Sequence, residues 1–228
     1  MALKYDRVKY RSESLLGKWF NYLSGDSRLL KKFLSDYPVY VPPHPSEAGK
    51  LSLAQANENF QFFENEKSSR LQLIVELLKK FELALDYQKP QEQTLLQLDA
   101  WAYQQWASIY HKSIDKVGVY RFDLTGYDGQ IRSFLFDMAI LLGECYLSLN
   151  SIARWSIDTK DKSSETFNRV VVSVPAPTDG SESVARLLDI ETHVFFHYRS
   201  QCKSKLSILT DQKIGRVLSE PVLALLKK

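Results

Sequence analysis

The chain has 228 residues, 44% hydrophobic and 25% charged, with a formal net charge of +3. This composition excludes a collagen-like, low-complexity or disordered chain and supplies enough apolar side chain for one large core. Two cysteines, Cys145 and Cys202, are too few for a disulfide framework. The opening MALKYDRVKY has no apolar stretch of the signal-peptide kind, and no run of 18 apolar residues occurs. The expectation is therefore a cytoplasmic chain with no membrane partner. The charge excess is mild. Its densest patch is Lys4, Arg7, Lys9, Arg11 and Lys18, interrupted by Asp6 and Glu13. A solvated face is the plain reading of such a run, so nucleic acid is not the expected partner.

The first third reads as helix. Leu15, Leu16, Trp19, Phe20 and Leu23 fall on one side of a helix capped by Ser12, and Leu29, Leu30, Phe33 and Leu34 on one side of a second capped by Ser27. Residues 37–49 hold four prolines and read as a loop. Helical periodicity resumes over 52–88, where Leu71, Ile74, Leu78, Phe81 and Leu85 form a seam. The polar NEKSS at 65–69 predicts a break there, with Ser68 or Ser69 as a new cap. Pro90 predicts the first turn of a further helix, which buries Leu95, Leu98, Trp101, Ala102, Trp106 and Ile109.

Near residue 116 the pattern changes. In VGVYRFDL, Tyr120, Phe122 and Leu124 alternate with polar residues, as in a half-buried strand. TGYDG reads as a turn, followed by a helix over about 130–149. RWSID and RVVVSV read as two more strands, and PAPTDGSES as a loop. The stretch from Ser183 to Leu209 reads as a helix, with a strand as the alternative around Thr192, Val194, Phe195 and Phe196. The expected fold is α+β: a helical N-terminal portion packed with a small, mainly antiparallel sheet and helices in the C-terminal half. With no flexible linker at the change near 115, residues 1–228 are expected to form one domain, 1–115 mainly helical and 116–228 mixed.

Several residues are candidates for chemistry. Asp137 and Glu144 lie seven apart on the helix over 130–149, hence on one face, together with Ser133 and Ser148. At about 100° per residue that face points away from the stripe of Ile131, Phe134, Met138, Leu142, Cys145 and Leu149. A solvent face able to meet a basic partner is the expectation. Acid–base catalysis needs carboxylates that converge with separated pKa values, which one wet face does not supply. Gly143 costs a helix about 1 kcal/mol relative to alanine, so its presence marks either the close approach of another backbone or a tolerated defect. His193 and His197, four apart with Asp189 four residues before, have a spacing that can bind zinc, but the glutamate of a HExxH motif is absent. The expected metal centre is none. Glu191 falls in the apolar stripe of its helix, where an unpaired carboxylate is costly, so either it has an arginine partner or a backbone cap or the chain is not helical there, with a pocket acid as the functional alternative. No GxGxxG, GxxxxGK[ST], GxSxG, CxxC or DxDxDG is present, and no cofactor and no catalytic residue is expected.

The stretch FDMAILLGECYLSLNSIARWSID resembles a pattern found in small bacterial α/β proteins of the immunity type, in which an Asp on a helix precedes LGE and a short turn leads to a strand with Trp. The matching residues are Asp137, Leu142, Gly143, Glu144 and Trp155, about a tenth of the chain. The resemblance implies that Gly143 and Glu144 are scaffold positions and that Trp155 packs on the helix. It also implies a protein that binds another protein rather than one that turns over a substrate. The expected function is an immunity- or antitoxin-like inhibitor that occludes a partner, with Asp137, Glu144 and Trp155 as partner-binding residues. The alternatives are a metal-assisted hydrolase using Asp189, His193 and His197, and a nucleic-acid-binding regulator using the basic N-terminal helix.

Overall fold

The computed structural model of the chain describes residues 25–111, 114, 125–159, 161–164, 166–176, 186–206 and 218–226. The expected first helix with its Ser12 cap, the basic patch at the start and the expected strand over 117–124 lie outside the described residues.

Helix α1, Gly25–Leu34, begins before Ser27, so that serine lies inside the helix rather than capping it. Leu30 and Leu34 are fully buried. The proline-rich segment follows as expected, irregular apart from a short 3₁₀ turn at Ala48–Lys50. Helix α2 runs unbroken from Leu53 to Lys79. It opens with a capping box between Ser52 and Gln55, which satisfies two backbone donors reciprocally. The expected break at NEKSS is absent: the helix runs on through it, and the Ser69 hydroxyl donates to the Glu66 carbonyl instead of capping a new helix. Beyond Lys79 the chain turns through Glu82 with φ 61°, so Phe81 and Leu85 pack from a loop.

Helix α3, Glu92–Gln105, continues as a 3₁₀ turn over Trp106–Ile109 and buries the expected stripe. Pro90 stands before its N-cap Gln91. Helix α4 spans Gly126–Leu149. The expected turn at TGYDG is corrected: Thr125 is the N-cap and Tyr127, Asp128 and Gly129 form the first turn. Strands β1 (Arg154–Ile157), β2 (Val170–Val174) and β3 (Arg186–Leu188) form an antiparallel sheet in chain order, with Trp155 opposite Val172 and Val172 opposite Leu188. The start of the expected long C-terminal helix is therefore strand, and helix α5 runs over Ile190–Leu206. A last helix α6, Glu220–Leu226, has no counterpart in the sequence reading. It is tied to α3 by buried Asp99, which accepts from the Ser219 amide at 2.9 Å and its hydroxyl at 2.7 Å. Among the described residues no helix is long and apolar enough to cross a membrane.

Helix α4 is the axis of this arrangement. It packs against α2, α5 and α6 and is buried almost without interruption from Ile131 to Tyr146. A helix that is apolar nearly all round is an interior helix. One connected set of buried side chains, drawn from all six described helices and β2, surrounds it.

Candidate functional site

The enclosure of α4 overturns the expected wet face. Asp137 is fully buried, and Ser133 is buried beside Tyr40, whose amide donates to the Ser133 hydroxyl at 2.8 Å. The acid has partners. Arg70 of α2 donates from Nε to Oδ1 at 2.8 Å, and its Nη2 lies 2.8 Å from Oδ2. The Tyr37 hydroxyl donates to Oδ2 at 2.5 Å. Arg70 also donates to the Pro38 carbonyl at 2.8 Å. Burial pushes the Asp137 carboxyl up to about 7, while Arg70 and the Tyr37 hydrogen bond pull it down. Burial raises the Tyr37 hydroxyl as well, with the carboxylate adding to the effect. The group ties the proline-rich segment, α2 and α4 together. A side chain so enclosed cannot touch a partner while the fold is intact.

A second ionic group lies across α4. Arg132 pairs with Glu191 of α5, which is also 3.2 Å from Nη2 of Arg169 on β2's leading edge. Arg169 pairs in turn with Asp189, and Asp189 caps α5 by accepting from the Thr192 amide at 2.9 Å. Glu191 thus has the arginine that its place in an apolar stripe requires. The three metal candidates are separated in role. Asp189 is held by Arg169 and Thr192, and His193 Nε2 lies 2.9 Å from the Leu218 carbonyl. His197 is buried with its ring 5.7 Å from that of Trp106, and burial lowers its pKa to about 4. The two histidines thus do not share one solvent face: His197 is buried and His193 half-buried. Among the described residues, no three His, Cys, Asp or Glu side chains gather as a metal centre.

Gly143 is explained by a side chain rather than a backbone. A Cβ at 143 would overlap the six-membered ring of Trp155. The indole crosses α4 there, donates from Nε1 to Glu144 at 2.7 Å and meets Phe63 of α2 edge to face at 5.1 Å. Lys67 of α2 lies 3.7 Å from Glu144 and 3.3 Å from Glu64. Glu144 and Trp155 are half-buried, so of the three expected partner-binding residues these two retain some surface.

They lie against the middle of α2, at Phe63 and Lys67. The proline-rich segment turns Tyr37, Tyr40 and Pro42 inward and leaves Val39 and Val41 outside. Asn59 of α2 holds it by a pair of 2.9 Å bonds with the His44 backbone, and the His44 ring lies 2.6 Å from Glu58. Val41 and Leu53 are 51% and 54% exposed, large apolar side chains left in water beside a filled core. Sequence reasoning missed Arg70, Arg132, Arg169 and Tyr37. The available signal was Arg70 itself, on the stripe of Phe63, Leu71, Ile74 and Leu78. A cation at a core position needs a buried anion somewhere. No protein family, curated protein or solved structure matches the chain.

Proposed function

We propose that the chain is a binding protein of the immunity or antitoxin-like kind, which inhibits a partner protein by covering it. The observation that carries this reading is a division of labour among its side chains. The ionic groups of the interior, around Asp137 and around Glu191, are engaged with each other and hold helices together. Meanwhile Val39, Val41 and Leu53 stand exposed on the proline-rich segment and at the start of α2. A partner that covers these three side chains removes their apolar surface from water. Occlusion works through that surface and not through Asp137. Glu144 and Trp155 hold each other and fix the sheet against the helices beneath.

The test is to purify the chain with the product of each flanking gene. A stable complex is expected, in which the partner's own activity is blocked. Replacing Val41 and Leu53 together by Asp leaves the fold intact, since both side chains are exposed, and weakens the complex at least about tenfold. Binding untouched by that double variant, or substrate turnover by the chain alone, would refute the proposal.

A further inference from the structure

Between the proline-rich segment, α2, α4 and the start of β2 lies a cavity of about 50 Å³. Its walls are largely apolar, built by Pro42, Ala48, Leu51, Ala56 of α2 and Phe136 of α4. Of the residues that line it only Ser46 is exposed, so it opens to solvent beside the 3₁₀ turn. Among the described residues, 45–50 hydrogen-bond only to His44, to one another and to Leu51. The stretch is fastened at its two ends, where Asn59 holds the His44 backbone and Asn168 the Leu51 carbonyl. A stretch held only at its ends opens more readily than the helices beneath it, which gives a ligand a way in.

One polar group of the wall has an unmet need. Asn168 is 6% exposed and has φ 61°, a left-handed conformation that asparagine tolerates. Its Nδ2 donates to the Leu51 carbonyl at 2.9 Å, and that acceptor fixes which way round the amide sits. Its Oδ1 is buried and accepts from no group of the protein. A buried acceptor without a donor is destabilising, so a molecule that brings a donor is favoured there. The charged side chains of the wall make no such demand. Glu191 is held by Arg132 and Arg169, and Arg169 also by Asp189, so two cations already meet two carboxylates.

We propose that this cavity binds a short neutral molecule with one O–H donor, of the chemistry of a small aliphatic alcohol. The hydroxyl donates to Oδ1 of Asn168, and the alkyl body lies against Ala56 and Phe136. The volume sets the size. A water takes about 10–15 Å³ of such space, so about four non-hydrogen atoms fit, whereas a benzene ring takes a cavity of about 150 Å³. The site is independent of the protein-binding reading and stands or falls without it.

The experiment uses the full ¹⁵N-labelled chain and two probes, 2-propanol and acetone. They have the same number of non-hydrogen atoms and nearly the same shape, but only the alcohol donates. Four such atoms bind no tighter than about 40 µM, so the titrations run to about 100 mM. The alcohol is expected to give saturable amide shifts at Ala48, Leu51, Asn168 and Arg169. Acetone is expected to bind about fivefold more weakly or less tightly still, because it leaves Oδ1 without a donor. Ala48→Leu at the half-buried rim and Ala56→Val at the floor fill the space, and each should abolish saturation with the circular dichroism of the parent. Should Ala56→Val fail to fold, Ala48→Leu decides. Asn168→Gly keeps the backbone conformation, removes the acceptor and should bind the two probes alike. Linear shifts without saturation, equal binding of alcohol and acetone by the parent, or saturation retained in a folded filled variant would overturn the proposal. So would an Asn168→Gly protein that still prefers the alcohol.

Discussion

Replacing Asp137 by Ala tests whether the acid belongs to the core or to a surface. The substitution leaves the Arg70 guanidinium, itself buried, without its carboxylate, and leaves the Tyr37 hydroxyl without its acceptor. Removing one member of a buried ion pair costs about 3–5 kcal/mol, because the surviving charge stays desolvated. For a chain of this size each kcal/mol lowers Tm by about 2–4 °C, so a fall of roughly 6–20 °C is expected. The measurement is urea and thermal unfolding at pH 8, above the value near 7 to which burial lifts the Asp137 carboxyl. A triple variant, Tyr37→Phe with Arg70→Met and Asp137→Leu, removes all the polar side chains of the group at once. It should recover most of the loss, since a buried pair exchanged for apolar groups is often neutral or stabilising. An Asp137→Ala protein within about 1 kcal/mol of the parent would refute the burial reasoning. So would a triple variant as damaged as the single one.

Gly143→Leu should lower Tm far more than Ser148→Leu, because the new side chain must displace the Trp155 ring whereas Ser148 is exposed; similar small effects would remove the packing account. Glu144→Gln keeps an acceptor for the indole and should leave tryptophan fluorescence near the parent's, while Glu144→Leu should cost about 1 kcal/mol and shift the emission. Burial raises the Asp99 carboxyl to about 6 in the folded chain against 3.8 unfolded, so the folded state holds its proton more tightly. Stability from this group is therefore full below pH 3.8 and is lost as pH rises to 6, by about 3 kcal/mol. Asp99→Asn should gain on the parent across that window in urea titrations, and parallel profiles for the two would count against the assignment.

Much of the fold was legible because most helices have one dry side. The stripes on α1, the second half of α2 and α3 are buried where the periodicity puts them, and RWSI pairs with VVVSV. The misreadings have definite causes. Helix α4 is dry on every side, so its few polar residues were read as its wet face when they are its internal contacts. Ser68 and Ser69 resemble caps, but the true cap is the Ser52–Gln55 box sixteen residues earlier. Arg186–Leu188 is too short to show alternation and gains its strand character by pairing with β2. The ionic groups were legible from one end only: Glu191 called for an arginine, but Arg132 and Arg169 lie 59 and 22 residues away in sequence.

The polar residues of α4 supply something its apolar residues cannot. A helix that is greasy on all sides has no preferred rotation about its own axis, since turning it exchanges one apolar contact for another. Arg132 and Asp137 are five residues apart, about 140° around the helix. One is held by Glu191 of α5 and the other by Arg70 of α2. Rotating α4 in either direction would strand two charges in the core at once, which costs several kcal/mol each. Ser133 adds a third fix by accepting from the Tyr40 amide, which holds the proline-rich segment against the helix. Tyr37 and Tyr40 thereby anchor the segment that presents Val39 and Val41 to solvent. The buried acids thus contribute to the exposed face indirectly, by setting the position of the backbone that carries it.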